Sequence, residues 1–250
     1  CALKDWRKPT RGLRVYRKID CTEKNTEILK LIKSKEIMTG DDKKTIERYE
    51  ARLSKYGYVH EALGWTRDNV NERLTELVSL LLGFHQDKPL ILLDLGCGLG
   101  NLYELIKNDK KYNYIGIDIN SKLILECKNR YPEANFFTMN EFENLDITPD
   151  FTLISGVFNH VRENKDEWDN MCFQITKYFK LSTKGVVWNL LTDRVDYFTE
   201  HNKNYNVEEV IKFCYTLSDS VAFKNTRLRY EASFAIYRNE LNIEKLTFKY

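Results

Sequence analysis

No two of the six cysteines, at 1, 21, 97, 127, 172 and 214, stand at Cys-x-x-Cys spacing. That argues against a zinc ribbon or a redox pair, and no metal site is expected. Cys97, Cys127, Cys172 and Cys214 fall inside apolar or helical patterns and read as small buried thiols in a reducing compartment. No apolar run approaches the roughly 18 residues needed to span a bilayer, the longest lying around Leu77 to Phe84. No signal peptide pattern is visible, so a cytoplasmic location without a membrane partner is expected. An excess of either charge is also missing. With 39 Lys and Arg against 37 Asp and Glu the net charge is +2, which argues against a dedicated nucleic-acid binder. Internal repeats and low-complexity tracts are absent too.

What is present suits a globular domain. Hydrophobic residues make up 42% of 250 residues, enough for a core, and the length fits one α/β domain with a helical extension. Positive charge crowds the first stretch, in Lys4, Arg7, Lys8, Arg11, Arg14, Arg17 and Lys18. It reads as a solvated arm or as a contact for an anionic partner. Helical spacing follows over 22–37 and 41–55, the second carrying Ile46, Tyr49 and Leu53 on one face. An aromatic, glycine-containing segment runs from Tyr56 to Trp65. Asp68 or Asn69 then caps a helix through Leu74, Leu77, Val78 and Leu81.

From residue 90 the pattern alternates. Strands are expected at 90–94, 114–118, 135–139, 151–155 and 185–190. Helices are expected at about 101–107, 121–130, 167–179 and 207–217, and a loop after the third strand. Runs at 220–224 and 232–238 close the chain as an antiparallel pair. Buried β runs alternating with helices predict a mostly parallel, Rossmann-like α/β sheet covered on both faces, with an antiparallel closing strand and an N-terminal helical extension. The expected division is a basic arm, helices and candidate lid over 1–66, and a ligand-binding domain over 67–250.

The strongest motif is Ile91-Leu-Leu-Asp94-Leu-Gly96-Cys97-Gly98-Leu-Gly100-Asn101. A buried strand ends near an acid, and a Gly-x-Gly-x-Gly turn opens a helix. Glycines there permit unusual φ and let a ligand approach the backbone, at the strand end where open α/β sheets bind ligands. A tight turn without a ligand would use the same residues. The second strand, Tyr114-Ile-Gly-Ile-Asp118, ends in an acid about twenty residues later. A carboxylate there can accept from both hydroxyls of a ribose, or Asp118 can simply cap the helix that begins near Ser121.

The first motif, with its acid before the glycines, resembles that of class I S-adenosylmethionine-dependent methyltransferases, and the resemblance covers about 90–238. It implies S-adenosyl-L-methionine as cofactor and methyl transfer as the reaction. It further implies that Asp94, Gly96, Cys97 and Gly98 lie against the methionine part, that Asp118 holds the ribose and that Ile119 packs on the adenine. Where the family often has an acid contacting the adenine amino group, this chain reads Asn140-Glu141-Phe142. Asn140 keeps an acceptor oxygen; Glu141 and Phe142 are candidates for the polar and stacking roles. Ser155 ends the fourth strand and joins this set. Just beyond it, Asn159 and His160 are candidate catalytic residues, a polar anchor and a base for an attacking hydroxyl; capping the next helix is the alternative for His160. The resemblance also suggests an N-terminal lid, with Tyr58 and Arg73 reaching the cofactor carboxylate, though aromatics in the core and an arginine on the helix surface fit equally. The polar, aromatic stretch from Thr192 to Tyr205 is a candidate acceptor loop. The expected acceptor is a small molecule, a hydroxyl of a carbohydrate or biosynthetic intermediate. The alternatives are an RNA or protein substrate docked through the basic region, or a non-catalytic cofactor-binding module that engages a protein partner.

Overall fold

The computed structural model describes residues 40–64, 67–81, 84 and 88–238. The basic arm and the helix expected over 22–37 lie outside them. Helix α1, Gly40–Tyr56, and a short 3-10 turn, His60–Leu63, precede α2, Arg67–Ser79. The alternating part then runs β1 (Leu90–Leu95), α3 (Asn101–Ile106), β2 (Tyr112–Asp118), α4 (Ser121–Arg130), β3 (Asn135–Thr138) and α5 (Met139–Glu143). It continues with β4 (Phe151–Ile154), α6 (Glu167–Leu181), β5 (Gly185–Thr192), β6 (Asn204–Tyr205), α7 (Val207–Leu217), β7 (Ser220–Lys224) and β8 (Glu231–Tyr237). The strands form one sheet in the order β3-β2-β1-β4-β5-β8-β7, with β6 beside the end of β5.

β3, β2, β1, β4 and β5 are mutually parallel; β8 runs antiparallel between β5 and β7. Period-two alternation sorts their side chains onto two faces. Leu93, Leu95, Val186, Trp188, Leu190, Phe234 and Ile236 meet α6 and α7 through Met171, Ile175 and Val210. Leu90, Leu92, Val187, Ala235 and Tyr237 meet α2, α3 and α4 through Leu74, Leu77, Leu102 and Ile124. Both faces are thus covered, which is why β1, β5 and β8 are buried almost throughout. Chain order reverses at β1, since β2 lies on one side of it and β4 on the other. The crevice for a ligand therefore opens at the carboxyl ends of β1 and β4.

Besides the short 3-10 turn, two elements were not expected. After β3 a helix replaces the anticipated loop: the Thr138 hydroxyl accepts from Glu141 N at 3.2 Å while the Glu141 carboxylate accepts from Thr138 N at 2.6 Å. This Thr-x-x-Glu capping box was readable in the sequence. The two-residue β6 arises where the 192–205 stretch returns to the end of β5.

Candidate active site

The glycine turn folds back over β2. Gly96, Gly98 and Gly100 adopt left-handed φ values of 74°, 56° and 75°. Gly96 N and Cys97 N donate to Ile117 O at 2.8 and 3.0 Å. Gly98 N donates to Asp118 Oδ2 at 3.0 Å. A Cβ on Gly96 would stand 2.6 Å from Val157 Cγ2, and one on Gly98 2.9 Å from Leu63 Cδ1. The turn needs glycine both for its backbone and for lack of space. Asp118 Oδ1 accepts from Asn120 N at 2.8 Å. Asn120 in turn caps α4 by accepting from Lys122 N and Leu123 N. Asp118 therefore binds the glycine turn rather than capping the helix. Burial raises its pKa, and backbone N–H groups of Asn120, Gly98 and Ile119 oppose that rise. The carboxylate keeps acceptor capacity beyond these backbone bonds.

Above this turn lies a cavity of about 900 Å³. Gly96, Gly98, Asp118, Ile119, Asn140 and Ser155 line it, and these six expected residues are brought together. Beyond them the cavity runs past Gly156–Phe158 and His160 to Asp169, Asn170 and Phe173 on α6. Helix α1 contributes Asp41, Thr45, Arg48 and Tyr49 to the wall. The helix is tethered by charge. Asp41 meets Arg162 at 3.3 Å, Lys44 pairs with Glu163, and Glu50 meets Lys122 at 2.7 Å. Its buried Leu53 meets Ala62, Leu99 and Leu123.

His160 lines the cavity as expected, with Nε2 3.4 Å from the Tyr49 hydroxyl. Burial first, and the positive charge of Arg48 second, push its pKa down to about 4; the backbone of His201 partly opposes them. The ring is neutral at neutral pH and a weak base.

The other expected site residues go elsewhere. Asp94 is buried outside the cavity, where its Oδ2 accepts from the Tyr114 hydroxyl at 2.8 Å. The Cys97 side chain turns into the core shared with α2 and α4. Glu141 is occupied in its capping box and with Lys128 at 3.2 Å. Phe142 is a core residue against α6, since the helix that replaced the loop turns it inward. The exposed Tyr58 uses its carbonyl to accept from Arg130 at 2.6 Å and does not line the cavity. Arg73 is buried and forked onto Glu231, with Nε 2.6 Å from Oε2. Asn159 is buried, its Oδ1 accepting from Leu191 N at 3.1 Å, so it fastens the turn to β5 instead of facing the cavity.

Arg48 and Tyr49 went unnoticed in the sequence. Tyr49 stood in the apolar stripe of 41–55, and Arg48 among many surface charges. Among the described residues Arg48 has no carboxylate within ion-pair reach, and its buried Nε has no hydrogen-bond partner. No cluster of His, Cys, Asp and Glu suited to a metal occurs among the described residues.

Residues 92–180 match the family model of a methyltransferase domain. A tRNA (guanine-N(7)-)-methyltransferase of Clostridium botulinum strain 657 is 26% identical over 168 residues, covering 57% of this chain and 74% of that protein. Among solved structures, magnesium protoporphyrin IX methyltransferase from Synechocystis PCC 6803 with bound SAH is similar at a TM-score of 0.54 and 14% identity. The likeness covers 86% of this chain and 99% of that one. A SAM-dependent methyltransferase from Archaeoglobus fulgidus gives a TM-score of 0.53 at 16% identity, over 76% and 99% of the two chains. At such identities the structural likeness concerns the fold.

Proposed function

We propose that this chain, an S-adenosylmethionine-dependent methyltransferase of the class I Rossmann-like fold, methylates a small molecule held in the cavity beneath α1. The cradle suits the cofactor. Asp118 offers carboxylate oxygens for two ribose hydroxyls, Ile119 and Leu123 offer apolar surface for a base, and the glycine turn brings backbone close. The bound cofactor supplies an electrophilic methyl group; the residues of this chain supply alignment and exclusion of water.

The observation that carries the small-molecule reading is the cavity itself. Its 900 Å³ lie near the top of the roughly 300–1,000 Å³ typical of small-ligand sites, leaving room beside the cofactor. It is also acidic, with eight carboxylate residues in the wall against Lys44, Arg48 and Arg162. That sign repels the phosphates of a nucleic acid. His160, with its pKa near 4, is poorly matched to deprotonating a hydroxyl. An acceptor that attacks without first losing a proton, and that carries no negative charge, fits better, such as an uncharged ring nitrogen.

An RNA acceptor is the second reading, favoured by the similarity to the tRNA methyltransferase. The two separate in one assay. Protein and tritiated S-adenosylmethionine are mixed with an extract of the source cells, then resolved into low-mass, RNA and protein fractions. Label should enter a low-mass product that separates from the donor. Label in RNA alone, with transfer falling steeply as salt rises, would overturn the proposal.

A further inference from the structure

A buried polar chain leaves the cavity wall at Gly156 and ends on α2. Gly156 N donates to Asn189 Oδ1 at 2.8 Å. Asn189 Nδ2 donates to Glu231 Oε2 at 3.2 Å. Glu231 accepts from both Nε and Nη2 of Arg73, the first at 2.6 Å. Asn189, Glu231 and Arg73 are exposed by only 1%, 8% and 3%. The amide orientation follows from the partners: a backbone N–H can only donate and a carboxylate can only accept.

Gly156 sits at φ 71°, and the turn it opens, Gly156-Val157-Phe158, lines the cavity with Ser155. Val157 is seated directly on Gly96, filling the space a Cβ there would need. The N–H of Gly156 thus decides how the end of β4 lies against the glycine turn. Resting on the reading of this cavity as the site of methyl transfer, we infer that Asn189 is a positioning residue for the reaction. Acting through Gly156 N–H, it fixes the 155–158 turn, and the Arg73–Glu231 pair locks its amide. Arg73, expected at the cofactor, reaches the site only through this relay.

The relay has a polarity, so it can be broken and restored. Asn189→Asp sets two carboxylates against each other at the 3.2 Å contact. Glu231→Gln weakens the clamp on Asn189. Together the two substitutions rebuild the relay. The carboxylate introduced at position 189 accepts from Gly156 N–H and from the amide introduced at position 231. The oxygen of that new amide accepts from Arg73. Transfer is read with saturating tritiated S-adenosylmethionine in whichever extract fraction the wild type labels, so relocation of the label overturns the acceptor reading and not this one. Each single variant should transfer at least tenfold more slowly, with S-adenosylhomocysteine affinity within threefold of wild type. Glycine-selective ¹⁵N spectra should show the Gly156 amide losing protection from exchange. The double variant should return to within threefold of wild type in rate. Should Asn189→Asp fail to fold alone, Asn189→Ser removes the reach to Gly156 without adding charge. Wild-type transfer by a variant whose Gly156 amide has lost protection would overturn the inference. So would a double variant no faster than the slower single one.

Discussion

Replacing Asp94 by asparagine should raise stability at alkaline pH and change it little in acid. The carboxylate is buried and accepts a hydrogen bond from the Tyr114 hydroxyl at 2.8 Å. Burial pushes its pKa from 3.8 up to about 7; the Tyr114 hydrogen bond opposes the rise and the charge of Asp118 adds to it. The unfolded chain loses this proton near pH 4, whereas the fold keeps it to near pH 7. Between those values the native state binds more protons, so stability falls as pH rises. Below pH 4 both states are protonated and the penalty vanishes; above pH 7 it is complete. At 1.36 kcal/mol per pH unit, the part of the penalty that develops between pH 5 and pH 8 is about 2–3 kcal/mol. Asparagine keeps an acceptor for Tyr114 and cannot ionise. The asparagine variant should therefore gain about 2–3 kcal/mol over the wild type between pH 5 and pH 8. Urea titrations of both proteins at the two pH values measure the difference, in which titrating groups remote from Asp94 cancel. Parallel shifts of the two proteins would show that Asp94 ionises normally and that its burial costs nothing.

Asp118→Ala should weaken S-adenosylhomocysteine binding tenfold to a hundredfold by calorimetry, on the order of 1.5–3 kcal/mol for a lost hydrogen bond to a charged group. A folded variant with unchanged affinity would remove Asp118 from the site. Gly98→Val should bind no cofactor at detectable concentrations, because φ 56° and Leu63 at 2.9 Å both oppose a branched side chain; normal binding would separate the turn from the ligand. His160 carries its proton only below about pH 4. Wild-type transfer should therefore show no limb from this residue between pH 5.5 and 8, and His160→Ala should keep the wild-type profile. A limb near pH 6.5 that disappears in His160→Ala would restore the ring as a general base.

The strand–helix alternation from residue 90 onward was legible because parallel strands covered on both faces are written as continuous apolar runs. The closing pair was legible from two β runs too close together for a crossover. The glycine turn and Asp118 were legible as cavity residues because open α/β sheets place their crevice at such strand ends. Residues beyond them were less so. Glu141 and Phe142 were displaced from the cavity by a capping box that turned their segment into a helix. Arg73 looked available for an anionic ligand, but its partner, Glu231, lies 158 residues away and no local pattern announces it. Arg48 and Tyr49 were hidden because an amphipathic helix shows which face is apolar, not which surface it covers.

The reach of that same ion pair has a consequence for biogenesis. Gly98 and Asp118, the two sides of the proposed cofactor cradle, are 20 residues apart. The Gly156–Asn189 and Asn189–Glu231 bonds span 33 and 42 residues. Chain segments near in sequence find each other faster than distant ones, and a ribosome delivers the amino-terminal part first. A nascent chain emerging through β2 already holds both parts of that proposed cradle, while the 155–158 turn still waits for β8. On the proposed reading, synthesis orders the two halves of the site in time: the residues that would hold the methyl donor emerge first, and the relay that would position the turn beside it is completed only with β8.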